Sequence, residues 1–88
     1  MGFAPPIILK IETPEMHKVV IDTNDGYRYH SNLATFSKVY CYPPSKKEWD
    51  LVSVDSYGMG IIWASRFEVH VDQIIGLAEK VEKLEEAS

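Results

Sequence analysis

Trp49-Asp50-Leu51-Val52-Ser53-Val54-Asp55-Ser56-Tyr57-Gly58-Met59-Gly60-Ile61-Ile62-Trp63 is the stretch whose reading decides the fold. Residues 51–55 and 61–64 have the composition of short strands. Tyr57-Gly58-Met59-Gly60 between them has the composition of a tight turn, where glycine supplies backbone angles that a Cβ resists. In the second strand Ile61 and Trp63 share one face, and Ile62 and Ala64 the other. Apolar residues on both faces predict an inner strand, covered on both sides. A tryptophan stands at each end of the hairpin, and each hides a large area when buried. Gly58 and Gly60 do not form a phosphate loop, because such loops need further glycines and run from a strand into a helix.

Upstream, Lys18-Val19-Val20-Ile21-Asp22-Thr23 is β-branched and short, as a strand should be. Asn24-Asp25-Gly26 predicts a tight turn, and Tyr27-Arg28-Tyr29-His30 the returning strand. Tyr27 and Tyr29 face one side, Arg28 and His30 the other. Before this hairpin, residues 7–12 predict a first strand with Ile7, Leu9 and Ile11 on one face and Ile8, Lys10 and Glu12 on the other. Residues 1–6, with Pro5 and Pro6, predict a loose arm. Leu33, Phe36 and Tyr40 recur at helical spacing, with Ser31 or Asn32 as the candidate N-cap. Tyr42-Pro43-Pro44 ends that segment. Ser45-Lys46-Lys47-Glu48 has the form of a capping box and predicts one helical turn that presents Trp49.

Downstream, Asp72 is the candidate N-cap of a helix over residues 72–86. Ile74, Leu77, Val81 and Leu84 repeat there with 3-4-3 spacing, a seam of two heptads. Glu79 and Lys83 stand at i,i+4, the favourable order on a helix. Gly76 costs that helix about 1 kcal/mol relative to alanine. The expected fold is therefore α+β: an antiparallel sheet of four or five strands with two helices, the longer one C-terminal, in one domain over residues 1–88.

The 88 residues, 45% hydrophobic, suit a small globular core rather than a disordered chain. Nine basic residues face 13 acidic ones, for a net charge of −4. Neither the body nor the acidic tail carries the basic stripe that phosphate recognition requires, so direct nucleic-acid binding is not expected. No apolar run approaches the ~20 residues of a membrane span. Residues 1–6 lack the charged and apolar regions of a secretory leader. A single cysteine, Cys41, makes no internal disulfide. A cytoplasmic setting is the expectation.

At the quoted hairpin, Val54-Asp55-Ser56-Tyr57-Gly58-Met59-Gly60-Ile61-Ile62-Trp63 resembles the signature of DUF2442, a family of small prokaryotic domains. The family pattern is an aromatic, a V-D-x-x-G element, then an aliphatic residue and a tryptophan. Trp49 stands where the family commonly has Phe. Val19 to Gly26 resembles its strand-then-D-G element. Glu68-Val69 and Val71-Asp72-Gln73-Ile74 resemble its closing pair and helix start. The likeness spans roughly residues 16–78, and the chain departs from it in its longer middle segment, including Tyr42-Pro43-Pro44, and in its expected charged C-terminal helix. It implies a small α+β domain with an antiparallel sheet and supplies no catalytic residues. Suggested partnerships of some members with small toxin-like proteins imply an antitoxin-like role.

The residues offer few chemical constellations. His17, His30, His70 and Cys41 lie far apart without metal-ligand spacing, so neither a metal nor a cofactor is expected. Asp22, Asp25, Asp50 and Asp55 stand near predicted turns and strand ends. Such aspartates bond the backbone nearby more often than they form acid/base pairs. Cys41 reads as a small buried hydrophobe. The candidate oligomer contact is Ile74, Leu77, Val81 and Leu84, of which the first two also suit covering the domain's own sheet. The expectation is a non-catalytic protein-interaction module that self-associates, with a dimer favoured. The alternative is a small-ligand or enzyme accessory domain with an aromatic cleft of Tyr27, Tyr29, Trp49 and Trp63.

Overall fold

A computed structural model describes residues 6–36, 43–63 and 67–84. Residues 1–5 of the expected arm, Ser37 to Tyr42 with Cys41, Ala64, and the end of the expected C-terminal helix lie outside them. The architecture is α+β. A four-stranded antiparallel sheet, made of the first, second, third and seventh strands in that order, is joined by a three-stranded antiparallel sheet of the fourth, fifth and sixth.

The strand β2 (Lys18–Thr23) alternates as its sequence requires, burying Val19, Ile21 and Thr23. Three residues connect it to β3 (Tyr27–Asn32), and Gly26 occupies the left-handed position with φ 89°. The Asp25 carboxylate braces the turn by accepting from the Thr23 hydroxyl and from the Tyr27 N–H at 3.2 Å. The first strand, β1 (Ile8–Glu12), departs from strict alternation. A bulge at Leu9 places Ile8 opposite Thr23 and Ile11 opposite Ile21. Both isoleucines thus reach the core side while Leu9 is 66% exposed. The expected Ile7/Leu9/Ile11 face is corrected accordingly. One extra residue in a strand shifts every later side chain to the opposite face.

Asn32 is the cap the sequence offered, its Oδ1 accepting from the Ala34 N–H at 2.9 Å. It opens a 3₁₀ turn over Leu33–Phe36 rather than the first turn of an α-helix. The capping box does form α1 (Lys46–Trp49), with the Ser45 hydroxyl accepting from the Glu48 N–H at 3.2 Å. Then β4 (Ser53–Val54), β5 (Gly60–Trp63) and β6 (Phe67–His70) make the second sheet, with β5 in the middle as its two-sided apolar pattern predicts.

The C-terminal segment departs most from expectation. The helix α2 spans only Val71–Gly76, and its cap is His70, whose Nδ1 accepts from the Asp72 N–H at 3.3 Å. Residues Ala78–Lys83 form β7, antiparallel to β3. The expected helix over 72–86 thus gives way to a strand over Ala78–Lys83, and the heptad seam is broken there. An isolated helix of this length is marginal in water. The free edge of β3 offers backbone partners along a whole strand and charged residues to match. The core lies between the sheets and under α2, built on Trp49, Trp63, Ile21, Leu33, Ile61 and Ile74.

Candidate interaction surface

The structure separates the four residues of the expected oligomer contact. Ile74 is fully buried, and its carbonyl accepts from the buried Ser31 hydroxyl at 2.6 Å. Leu77 packs against the core at the end of α2. Val81 lies on β7 opposite Tyr29 and is 52% exposed. Leu84 is half-buried just past the strand, its N–H donating to the Gly26 carbonyl at 2.8 Å. Ile74 is thus removed from any contact surface, and Val81 presents itself from a strand.

The four aromatics of the expected cleft also divide. The rings of Trp49 and Trp63 lie 4.7 Å apart, tilted by 33°, with exposures of 0% and 1%. Trp63 Nε1 donates to the Trp49 carbonyl at 2.9 Å, and Trp49 Nε1 to the Lys18 carbonyl at 3.2 Å. These are filled core positions, so the tryptophans line no open cleft. Large flat side chains with one polar atom are suited to this, provided that atom finds a partner. Tyr27 and Tyr29 neighbour each other on β3 at 6.3 Å. Tyr29 donates its hydroxyl to Asp25 at 3.0 Å, and partial burial together with that carboxylate raises its pKa.

The outer face of the four-stranded sheet is charged in both signs. Arg28 makes a two-point contact with Asp22, Nε to Oδ1 at 2.6 Å and a terminal nitrogen to Oδ2 at 3.0 Å. That hydrogen bonding holds the Asp22 carboxyl below its ordinary range. His30 Nε2 lies 2.5 Å from Glu82, which bridges to β7, and Lys80 Nζ is 3.7 Å from the same carboxylate. Lys10 pairs with Glu12 at 2.9 Å on β1. A depression of about 170 Å³ lies here, lined by Pro14, Lys18, Val20, His30, Glu79 and Lys80 among others. Alternation in β2 and β3 placed half of this face, but Glu79, Lys80 and Glu82 come to it only because β7 is a strand.

A second feature escaped the sequence reading. Asp55 terminates β4, and its Oδ1 accepts from the N–H groups of Tyr57 at 2.9 Å and Met59 at 3.0 Å. Glu68 of β6 reaches the same carboxylate across Gly60, where an added Cβ would lie 2.9 Å from the Glu68 chain. Their shared hydrogen bond raises the Glu68 pKa and lowers that of Asp55. No sequence spacing signals this pair, because strand pairing alone brings residues 55 and 68 together.

The last of the four aspartates, Asp50, acts as a brace. Asp50 accepts from the Thr13 hydroxyl and from Lys46, each at 2.6 Å, and so ties α1 to the β1–β2 connection. The histidines are dispersed: His17 stands edge-on to Trp49 at 5.5 Å, His30 meets Glu82 and His70 caps α2. Among the described residues no three His, Cys, Asp or Glu side chains are grouped to hold a metal ion, and no helix is long and apolar enough to cross a membrane. Compared with protein-family models, with curated proteins and with solved structures, the chain shows no significant match.

Proposed function

We propose that this chain is a protein-interaction module that self-associates and acts by recognition rather than chemistry. The observation that carries this is the surface around β7. Val81, 52% exposed, lies on β7, which has a neighbour on only one side among the described residues, and Tyr27, 38% exposed, lies on that neighbour. Exposed apolar side chains beside unpaired backbone groups are what a protein partner covers. An antitoxin-like or regulatory role, a toxin-like protein partner and a cytoplasmic setting belong to this proposal and rest on the resemblance to DUF2442. The small-ligand alternative loses support because two of its four cleft residues are core. Light scattering over a concentration series tests self-association. A mass that rises to twice 10.0 kDa is the expected outcome, and a monomer at every concentration overturns it.

A further inference from the structure

We propose that two copies of this chain pair through β7, antiparallel and edge to edge, about a twofold axis at Val81. This rests on the self-association proposed above and names the surface and register that carry it. The joined assembly is one continuous sheet of eight strands.

The backbone is poised for it. Leu84 donates its N–H to Gly26 of the neighbouring turn. In an antiparallel ladder alternate residues point their N–H and C=O to opposite sides. Leu84, Glu82 and Lys80 therefore address β3, while Val81 and Lys83 turn their backbone groups away from it. A twofold at Val81 lets its N–H and C=O exchange two bonds with the same residue of the second copy. The opposite edge of the sheet is less available, because β1 is bulged at Leu9 and its Ile8 N–H is already donated to the Gly58 carbonyl at 2.7 Å.

The side chains select the register. The strand reads Ala78-Glu79-Lys80-Val81-Glu82-Lys83. Centred on Val81, Lys80 faces Glu82 of the copy on the outer face of the sheet, a pair that occurs twice by symmetry. Val81 meets Val81. Centring on Lys80 or Glu82 instead sets two like charges on the axis. A one-residue slip sets Val81 against Lys80 or Glu82 and breaks the Lys80–Glu82 match. Charged edge strands ordinarily discourage pairing, but here the order of signs suits one partner, a reversed copy of itself. The bulge at Glu79 ends the regular ladder and keeps the contact short.

The test is sedimentation equilibrium on the full chain. Lys80→Glu and Glu82→Lys should each raise the dimer dissociation constant about tenfold, since each places two like pairs across the axis. Combining them restores opposite signs and should restore the wild-type constant. Val81→Pro removes the central N–H without touching the bonds to β3, so it should give a monomer with unchanged circular dichroism. A charge swap that fails to rescue, or a dimer that persists in Val81→Pro, overturns the β7 register while leaving self-association standing. A wild-type chain that stays monomeric overturns both. The charge-swap arm decides the matter even where the proline variant fails to fold.

Discussion

The hairpin turns at Gly26 and Gly58 use the same local chemistry under different tertiary loads. Each has an aspartate whose carboxylate accepts turn N–H groups, and each has a glycine with positive φ, 89° at Gly26 and 71° at Gly58. The Gly26 turn is open: a Cβ there would meet nothing within 4 Å. At Gly58 a Cβ would overlap the Ile7 methyl and lie 3.2 Å from the Ile8 carbonyl oxygen. The Gly58 carbonyl accepts from Ile8, and the Met59 carbonyl from Val71 at 2.8 Å, so this turn is where β1 and α2 are pinned to the second sheet. Glycine is needed at Gly26 for conformation alone, and at Gly58 for conformation and for space.

That difference sets an order of effects. The second hairpin also carries Trp63, and Trp63→Ala should cost about 4 kcal/mol of unfolding free energy in urea, a large share of a small domain's stability. Tyr27→Ala, at the partly exposed start of β3, should cost far less. Equal losses at the two sites would erase the contrast between a buried and an open hairpin. Gly58→Ala should follow at about 3 kcal/mol, because left-handed strain adds to overlap with β1. Gly26→Ala should cost about 1–2 kcal/mol, from strain alone. If Gly26→Ala proves the more damaging, the junction assigned to the Gly58 turn is wrong.

The smallest effects separate the hairpins by pH. Asp22 of the first hairpin has its folded pKa depressed, chiefly by the hydrogen bond from Arg28. Its contribution to stability is present above the unfolded pKa and is lost as pH falls through the folded one. Glu68, packed across the second hairpin, has its folded pKa raised, first by the hydrogen bond to Asp55 and then by desolvation. Its contribution is complete below the unfolded pKa and is lost as pH rises through the folded one. Carbon-detected carboxyl titrations should therefore find Asp22 titrating below and Glu68 above their ordinary values. Asp55→Asn should bring Glu68 back down, and a Glu68 titration that ignores that change would dissolve the pair.

Much of the fold was legible in short-range pattern. Alternation in Lys18–Thr23, the glycine of the Asp25-Gly26 turn and the Ser45/Glu48 cap each act over a few residues, and each formed as read. The two-sided apolar run at Ile61 and Ile62 correctly announced a central strand. Of the candidate contact, Val81 remains exposed and Ile74 does not. The 3-4-3 spacing from Ile74 to Leu84 suited a helix, yet it also tolerated a break after Gly76, and local preference there was too weak to resist a waiting strand edge.

The chain's own pattern determined the hairpins, their turn chemistry and the helical turn at Lys46–Trp49, because these follow from steric and hydrogen-bonding preferences within a few residues. Only the tertiary structure decided the bulge at Leu9, the strand at Ala78–Lys83 and the meeting of Asp55 with Glu68 over Gly60. Each of these depends on which backbone edge is free when distant segments come together, and that information is absent from any single window of residues.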